Sequence, residues 1–396
     1  MAIRWEAEAC ELARDPESGA RITRLTSSVM SNINIYYEQP YSTPDGARVL
    51  YLRASSSDPR LPPGQQLCVA DLRTCKIAML DDRVWTHWVA TSPWSGHAFY
   101  LRDNGELIHL DLATLEKRIA LTHWPLAREA YLWSVTPDLR SLITLVYDAE
   151  FHCNVIRIDL EKRQWAQIYR HPMVHGHVQV STNGRDILLQ RNRGTRQNHL
   201  RQRRTEPSEH PGATHVVIDL DGGNERPLHI GEPWTAPSTG HASWVAQTGR
   251  MATPVGTVGG IHVGDPEHVP PVIHDPRHSE GNFLALAPGD DAPKVFPAPT
   301  HVFNHASVSR CGRYFVADCF CHGVPGPIEI VVGDMQTGRH RVLVRDCGAQ
   351  GGGPACSHPH PYFTADTQHV IYNADPHCVC HLHMARLPEG FLPGLA

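Results

Sequence analysis

Short apolar runs, each preceded by a turn, recur along the whole chain. The turn Thr43-Pro44-Asp45-Gly46, for example, leads directly into the apolar segment 47–52. Copies of this half-unit lie at 43–52, 95–101, 136–143, 183–189, 248–251, 311–316 and 365–372. Because Gly and Pro interrupt helices and few segments show a sustained helical period, these copies predict β-strands joined by tight turns.

A second half-unit follows each turn after a variable gap. It alternates apolar with polar residues before an Asp-containing turn, at 67–72, 107–112, 155–160, 216–222 and 328–334, with degenerate copies at 261–265 and 379–384. Units of two such halves, repeating about every 40 to 65 residues, predict an all-β fold, a seven-bladed β-propeller with four-stranded blades. A pair of β-sandwiches is the alternative. We expect a single domain over 1–396, whose N-terminal segment through Leu25 closes the ring with the last blade.

Composition narrows the possible partners and compartment. A net charge of -5 gives no general attraction to nucleic acid, so an anionic ligand would need a local basic site. We find no secretory signal and no run of roughly 18 apolar residues that could span a membrane, so we expect a cytoplasmic protein without membrane contact. The 11 cysteines, an odd number, fit free thiols in a reducing compartment. The oligomeric state is not indicated.

Histidines recur at one position of the repeat, just before its turn. His177 lies seven residues before Gly184, His241 eight before Gly249, His305 seven before Gly312, and His358 and His360 eight and six before Asp366. The first strand of a propeller blade lines the central channel, so equivalent residues at its entry converge. Chance placement is the alternative, because the chain contains 27 histidines. A histidine at this position in four successive units favours a functional site over chance.

The chemistry of these side chains favours a metal ion. Imidazole nitrogens with neighbouring oxygens suit a borderline divalent cation such as Mn²⁺, Zn²⁺, Fe²⁺ or Ni²⁺. His305, His358 and His360 come from adjacent units and form the tightest candidate triad, with Gln350 or water as a fourth ligand. His241, one unit away, would then be available as a general base with a pKa near the working pH.

Six arginines lie within the stretch 191–204. Most charge runs of this kind are solvated loops. This one is inserted in the same unit as His177, and we therefore expect it to reach over an anionic ligand. The candidate substrate-binding residues are His177, Arg193 and Arg196.

The histidine motifs also resemble a known family. The chain is similar over nearly its whole length to the oligogalacturonate lyases of polysaccharide lyase family 22. Four segments carry the resemblance: His358-Pro359-His360-Pro361 followed by Phe363-Thr364, then Asn304-His305-Ala306-Ser307, Gly240-His241-Ala242-Ser243-Trp244 and the early segment 37–46. The resemblance implies a seven-bladed propeller that cleaves short pectin-derived galacturonides by β-elimination in the cytoplasm, with bound Mn²⁺. It places His305, His358 and His360 on the metal ligands and His241 on the catalytic base.

Two positions depart from the family pattern. The glutamine ligand of the family corresponds to Ala355 here, which leaves Gln350 as the substitute. An arginine that contacts the substrate carboxylate aligns near Thr214, which leaves the stretch 191–204 as its replacement. Two other functions stay open: a non-catalytic propeller that binds a sugar or a protein partner, and a lyase for a different uronate oligosaccharide. A serine hydrolase is disfavoured, because the sequence has no Gly-x-Ser-x-Gly motif.

Overall fold

Strands account for almost all of the regular structure in the protein. The computed structural model describes residues 3–55, 65–85, 89–126, 131–238, 240–255, 283–296, 298, 301–319, 327–349 and 358–396. Within these residues there are 31 strands and one short 3-10 helix, Pro393–Leu395. No helix in this part of the chain combines the length and apolarity needed to cross a bilayer.

The strands form successive antiparallel sheets in which chain neighbours are mostly sheet neighbours. The first two sets are β3 (Asn32–Ile33), β4 (Arg48–Ala54), β5 (Gln65–Asp71) and β6 (Lys76–Val84), then β7 (Ala90–Thr91), β8 (His97–Leu101), β9 (Leu107–Asp111) and β10 (Glu116–Leu121). The next are β11 (Tyr131–Val135), β12 (Ser141–Tyr147), β13 (Cys153–Asp159) and β14 (Gln164–His171), then β15 (Val174–Val180), β16 (Asp186–Arg193), β19 (Gly212–Asp219) and β20 (Arg226–Leu228). A separate pair, β17 (Thr195–Gln197) and β18 (Arg203–Thr205), interrupts this last set.

The remaining strands make two four-stranded sheets and one five-stranded sheet. The four-stranded sheets are β21 (Ser243–Trp244), β22 (Met251–Pro254), β23 (Phe283–Leu286) and β24 (Lys294–Phe296), and β25 (Phe303–Val308), β26 (Tyr314–Cys319), β27 (Glu329–Asp334) and β28 (His340–Val344). The five-stranded sheet has the order β1 (Cys10–Glu11), β2 (Arg21–Arg24), β31 (His381–Arg386), β30 (His369–Ala374), β29 (Tyr362–Phe363). The N-terminal strand β2 therefore completes the sheet of the C-terminal strands.

The arrangement is that of a β-propeller, but the predicted number of separate blades is wrong. Five sheets have four or five strands, as blades do, and the sequence predicts seven. The strands β7 to β14 instead form one eight-stranded sheet, in the order β10-β9-β8-β7-β11-β12-β13-β14. Strands that share one sheet leave no open edge between successive sets, so these eight strands do not count as two separate blades.

The repeat itself is present in the turns. At each of the seven predicted positions a backbone N–H donates to the carbonyl three residues earlier: Gly46 to Thr43, Ser95 to Ser92, Leu139 to Thr136, Gly184 to Ser181, Thr248 to Val245, Gly312 to Ser309 and Thr367 to Thr364. The Asp-containing turns of the second half-unit are held by the aspartate, since Asp71 Oδ1 accepts the N–H groups of Arg73 and Thr74 at 3.1 and 2.9 Å. Local hydrogen bonding thus explains the sequence pattern.

The chain divides into two compact units, a first unit of 1–124 with 305–396 and a second unit of 125–304. Within the first unit, Phe363 and Val370 of the five-stranded sheet pack with Ile330 of β27. On the other face of that sheet, Tyr362 packs with Tyr51 of β4. This burial on both faces fixes the backbone that precedes β29, where two of the histidines lie.

Candidate functional site

Three histidines of the first unit converge. His305 lies in β25, and His358 and His360 lie on the irregular segment before β29. The ring centroid of His305 is 4.9 Å from that of His358 and 4.3 Å from that of His360, and His358 Nδ1 is 3.4 Å from His305 Nε2. Two nitrogens bound at about 2.1 Å to one tetrahedral ion lie about 3.4 Å apart. One nitrogen from each ring lies within 4.8 Å of the others, so the three donors fit a metal ion.

A buried aspartate, which the sequence analysis missed, orients His305. Asp318 Oδ2 lies 2.8 Å from His305 Nδ1, and Asp318 Oδ1 accepts the backbone N–H of His305 at 2.7 Å. A carboxylate only accepts hydrogen bonds, so Nδ1 carries the hydrogen and Nε2 carries the lone pair that faces His358. This is how metal-bound histidines are usually supported. The sequence did contain a signal for it, since an aspartate directly after the apolar run Phe315-Val316-Ala317 is expected to be buried. A buried charge nearly always has a partner.

Two buried asparagines hold the segment that carries the other two histidines. Asn373 Nδ2 donates to the carbonyl of His358 at 3.2 Å, and Asn34 Nδ2 donates to the carbonyl of His360 at 2.7 Å. The two amides also bond each other, at 3.0 Å from Asn373 Nδ2 to Asn34 Oδ1. His360 has φ 47°, an unfavourable backbone conformation for a residue before proline. These side-chain bonds stabilise that conformation.

Two tyrosines form an aromatic wall beside the triad. The ring of Tyr36 lies 4.6 Å from that of His360, and the ring of Tyr37 lies 5.2 Å from that of His305. Burial, and next the charge of Glu38, raise the pKa of both phenols well above the usual value. Both therefore stay protonated and neutral at working pH, and the wall adds no negative charge of its own.

The second unit contains a separate pair of histidines. His177 lies in β15 at a shift of register, with φ 47°, and His241 lies two residues before β21. Their ring centroids are 5.4 Å apart with the planes at 71°. His241 Nδ1 is 3.1 Å from the carbonyl oxygen of Asn304. A carbonyl only accepts, so His241 Nδ1 donates and Nε2 keeps its lone pair, which is the tautomer that a general base needs.

A third histidine of the second unit supports this pair and was not predicted. His215 is buried in β19, and its Nε2 lies 3.3 Å from the carbonyl oxygen of Gly240, the residue before His241. Burial, with a smaller contribution from nearby His177, lowers the pKa of His215 to about 3, so its ring is neutral. The signal in the sequence was a histidine next to the apolar run Val216-Val217-Ile218. His215 fixes the loop that leads to His241.

Five of the six arginines in the stretch 191–204 lie in strands. The stretch contributes to β16, β17 and β18. Arg193 Nη1 donates to the carbonyl of Glu232 at 2.5 Å, and burial lowers the pKa of this guanidinium. Arg196 Nη1 pairs with Glu206 Oε1 at 2.9 Å. Gln350, the predicted fourth metal ligand, and Ala355 lie outside the described residues.

A further group of potential ligands lies at Asp148, Glu150 and His152. Arg170 occupies it, with Nη2 at 2.9 Å from Asp148 Oδ2 and 2.8 Å from Glu150 Oε2. The guanidinium already neutralises these carboxylates, so this group is a weaker candidate for a metal than the histidine triad.

Comparisons with known proteins give the fold. No protein-family model and no curated protein match the sequence. A solved structure described as oligogalacturonate lyase in complex with manganese is 18% identical, with 98% of this chain and 100% of that chain covered and a TM-score of 0.64. An oligogalacturonate lyase from Vibrio parahaemolyticus is 16% identical, with 99% and 98% covered and a TM-score of 0.67. The chain has the fold of the oligogalacturonate lyases.

The chain is also similar in fold to a propeller domain that belongs to a protease. The β-propeller domain of the Trilobed protease from Pyrococcus furiosus is 12% identical to this chain, with 92% and 97% covered and a TM-score of 0.53. Because propellers host many functions, function here has to be argued from the histidines rather than from the fold.

Proposed function

We propose that the protein is a metal-dependent lyase that cleaves oligogalacturonides or related uronate oligosaccharides by β-elimination in the cytoplasm. The observation that carries this proposal is the convergence of His305, His358 and His360 in a chain with the oligogalacturonate lyase fold. The three residues come from the sequence motifs that resemble that family. Three neutral nitrogen donors, one of them held by a buried carboxylate, suit a divalent cation.

In this proposal the triad holds Mn²⁺ or a similar cation, and Gln350 or water completes the ligand set. When bound, the cation would stabilise the negative charge that develops on the uronate carboxylate. The support is the donor chemistry of His305, His358 and His360, together with the manganese in one of the similar structures. Asp318 would keep the lone pair of His305 Nε2 directed at the ligand position.

His241 is the proposed general base. Its Nε2 removes the proton on C5 of the uronate, the C–H electrons form the C4–C5 double bond, and the C4–O bond breaks with its electrons on the leaving oxygen. That oxygen then takes up a proton, and no water is consumed. The hydrogen bond from His241 Nδ1 to Asn304 supports this role, because it keeps the proton off Nε2.

Arg193 and His177 are the proposed substrate contacts in the second unit. Arg193 is a better candidate for binding the substrate carboxylate than Arg196. Arg193 Nε is buried with no hydrogen-bond partner, whereas Arg196 is already paired with Glu206. A desolvated guanidinium gains most from a carboxylate ligand. His177 lies beside His241 and would contact the same sugar ring.

The test is to incubate the protein with digalacturonate and Mn²⁺ and to follow the ultraviolet absorbance of the new double bond. We expect His241→Ala to lower the rate by about 10² to 10⁴, the usual contribution of a general base. His199→Ala is the matched control, an exposed histidine of the same unit, and should keep the wild-type rate. Absence of product from several uronides would overturn the proposal and favour a non-catalytic binding propeller.

A further inference from the structure

A cavity of about 710 Å³ lies in the first unit at the edge where β2 meets β31. Its walls come from the N-terminal hairpin and from the C-terminal segment that follows β31. The side chains that matter for its chemistry are Arg14, Arg21, Gln368, Arg386 and Glu389. The volume is in the range of small-molecule sites.

Two of these arginines face each other across neighbouring strands. Arg21 of β2 is the direct register partner of Arg386 of β31, and Arg386 is the direct partner of His369 of β30. Directly opposed residues in an antiparallel sheet project from the same face with Cβ atoms about 5 Å apart. Like charges at this distance repel, so the empty arrangement is electrostatically unfavourable.

The arginines of the cavity lack counter-charges. None of Arg14, Arg21 and Arg386 has an acidic partner within 4 Å among the described residues, whereas Arg53 and Arg345, elsewhere in the same unit, pair with Glu8 and Glu17. The described residues that line the cavity include three guanidinium groups and one carboxylate, that of Glu389. The cavity therefore has an excess of positive charge in a protein whose net charge is -5.

The wall of the cavity is anchored before any ligand arrives. Leu387, Phe391 and Leu395 of the C-terminal segment are buried in the core of the first unit. Arg341 lies over the ring of Phe391, 5.0 Å from its centroid. The backbone of this wall is therefore fixed, and binding has to order only the exposed arginine side chains.

We propose that this cavity binds a compact anion that carries two or more carboxylate or phosphate groups. Planar guanidinium groups bond such oxygens in pairs, and Arg21 and Arg386 present two of them side by side. The two sources of this chemistry are a phosphorylated small molecule and a uronate oligosaccharide. The proposal concerns a site apart from the histidines and does not depend on the lyase function.

The test measures binding to the full chain by calorimetry, with pyrophosphate and with trigalacturonate in separate arms. We expect Arg386→Gln and Arg21→Gln each to weaken binding about tenfold or more, as loss of a charged hydrogen bond does. Arg118→Gln is the matched control, because Arg118 is an exposed strand arginine opposite His109 without an acidic partner within 4 Å in the described chain. It should change affinity less than twofold.

A second measurement separates the site from a structural role. Without ligand, Arg386→Gln should raise the melting temperature, because it removes the repulsion with Arg21, and it should reduce the rise that pyrophosphate causes. If the histidine site also binds trigalacturonate, Arg386→Gln should weaken one of two sites and leave the other unchanged. If the histidine site does not bind it, Arg386→Gln should weaken the single site that is observed. Binding of neither anion, or equal binding by Arg386→Gln and wild type, would overturn the proposal.

Discussion

The triad in the first unit and the pair in the second unit hold their histidines in different ways. His305 is buried, and its Nδ1 bonds the charged carboxylate of Asp318 at 2.8 Å. His241 is half-buried, and its Nδ1 bonds the neutral carbonyl of Asn304 at 3.1 Å. Both contacts fix the same tautomer, with the lone pair on Nε2, so the tautomer alone does not distinguish the two regions.

The two regions differ in the charge of the group that bonds the histidine ring. A carboxylate that bonds one imidazole nitrogen makes the opposite nitrogen a stronger electron-pair donor to a metal. Its negative charge also offsets the positive charge of the cation, which suits a metal ligand. A carbonyl orients the ring without placing a full charge beside it, which suits a base that has to gain and lose a proton near neutral pH. From this comparison we expect metal affinity to depend on the triad and proton transfer on the pair.

Removal of a triad ligand should give the largest effect. His358→Ala and His360→Ala each delete one nitrogen donor and should lower Mn²⁺ affinity by more than about a hundredfold, since loss of an outer partner alone costs 10- to 100-fold. Calorimetric titration with Mn²⁺ measures this. His97→Ala, a half-buried histidine elsewhere in the first unit, should bind as wild type does. Unchanged affinity in both triad variants would refute the metal site.

Asp318→Asn tests whether the charge behind His305 matters. The amide keeps the size of the side chain but removes the charge, and we expect Mn²⁺ affinity to fall by about 10- to 100-fold. Asp334→Asn is the control, because Asp334 is equally buried on the next strand and pairs with Arg313 at 2.9 Å instead of a histidine. If both variants lose the same affinity, the effect is one of stability and the comparison fails.

Acid should act on the second unit through His215. Its pKa of about 3 lies below the unfolded value of 6.5. Between these values the unfolded chain binds the additional proton, so stability falls as the pH falls through this window. The loss should be about 1 kcal/mol at pH 5.5 relative to pH 8. Urea unfolding of His215→Gln should show a flatter pH dependence than wild type, and equal slopes would contradict it.

The smallest effect should come from the backbone support of His241. The buried Thr253 donates its hydroxyl to the carbonyl of His241 at 3.1 Å. Thr253→Val removes this bond at nearly constant shape and should cost about 1 kcal/mol of unfolding free energy. Product formation should change only a few-fold, because Asn304 still orients the ring. Thr253→Ser keeps the hydroxyl and should have the wild-type stability and rate. If Thr253→Val lost as much rate as His241→Ala, the loop and not the imidazole would limit the reaction.

Local signals in the sequence predicted much of this structure. The turn chemistry of Thr43-Pro44-Asp45-Gly46 and its copies needs only near neighbours in the chain, so the repeat was predictable and its hydrogen bonds are present. The number of separate blades was not predictable, because whether successive sets of strands share one sheet depends on long-range backbone pairing rather than on any single strand. The ion pair of Arg196 with Glu206, the residue after β18, was not predictable either, because it depends on the pairing of β17 with β18.

The sequence by itself determined the β-rich repeat, because hydrogen bonds between residues a few positions apart form its turns, and it placed histidines before the turns of four units. Only the tertiary structure decided which histidines meet and what stands behind each ring. Asp318 and Asn373 reach the triad from strands 13 and 15 residues away from the histidines they contact, and Asn34 from more than 300. Such contacts depend on the packing of whole sheets, and no local pattern in the chain records them.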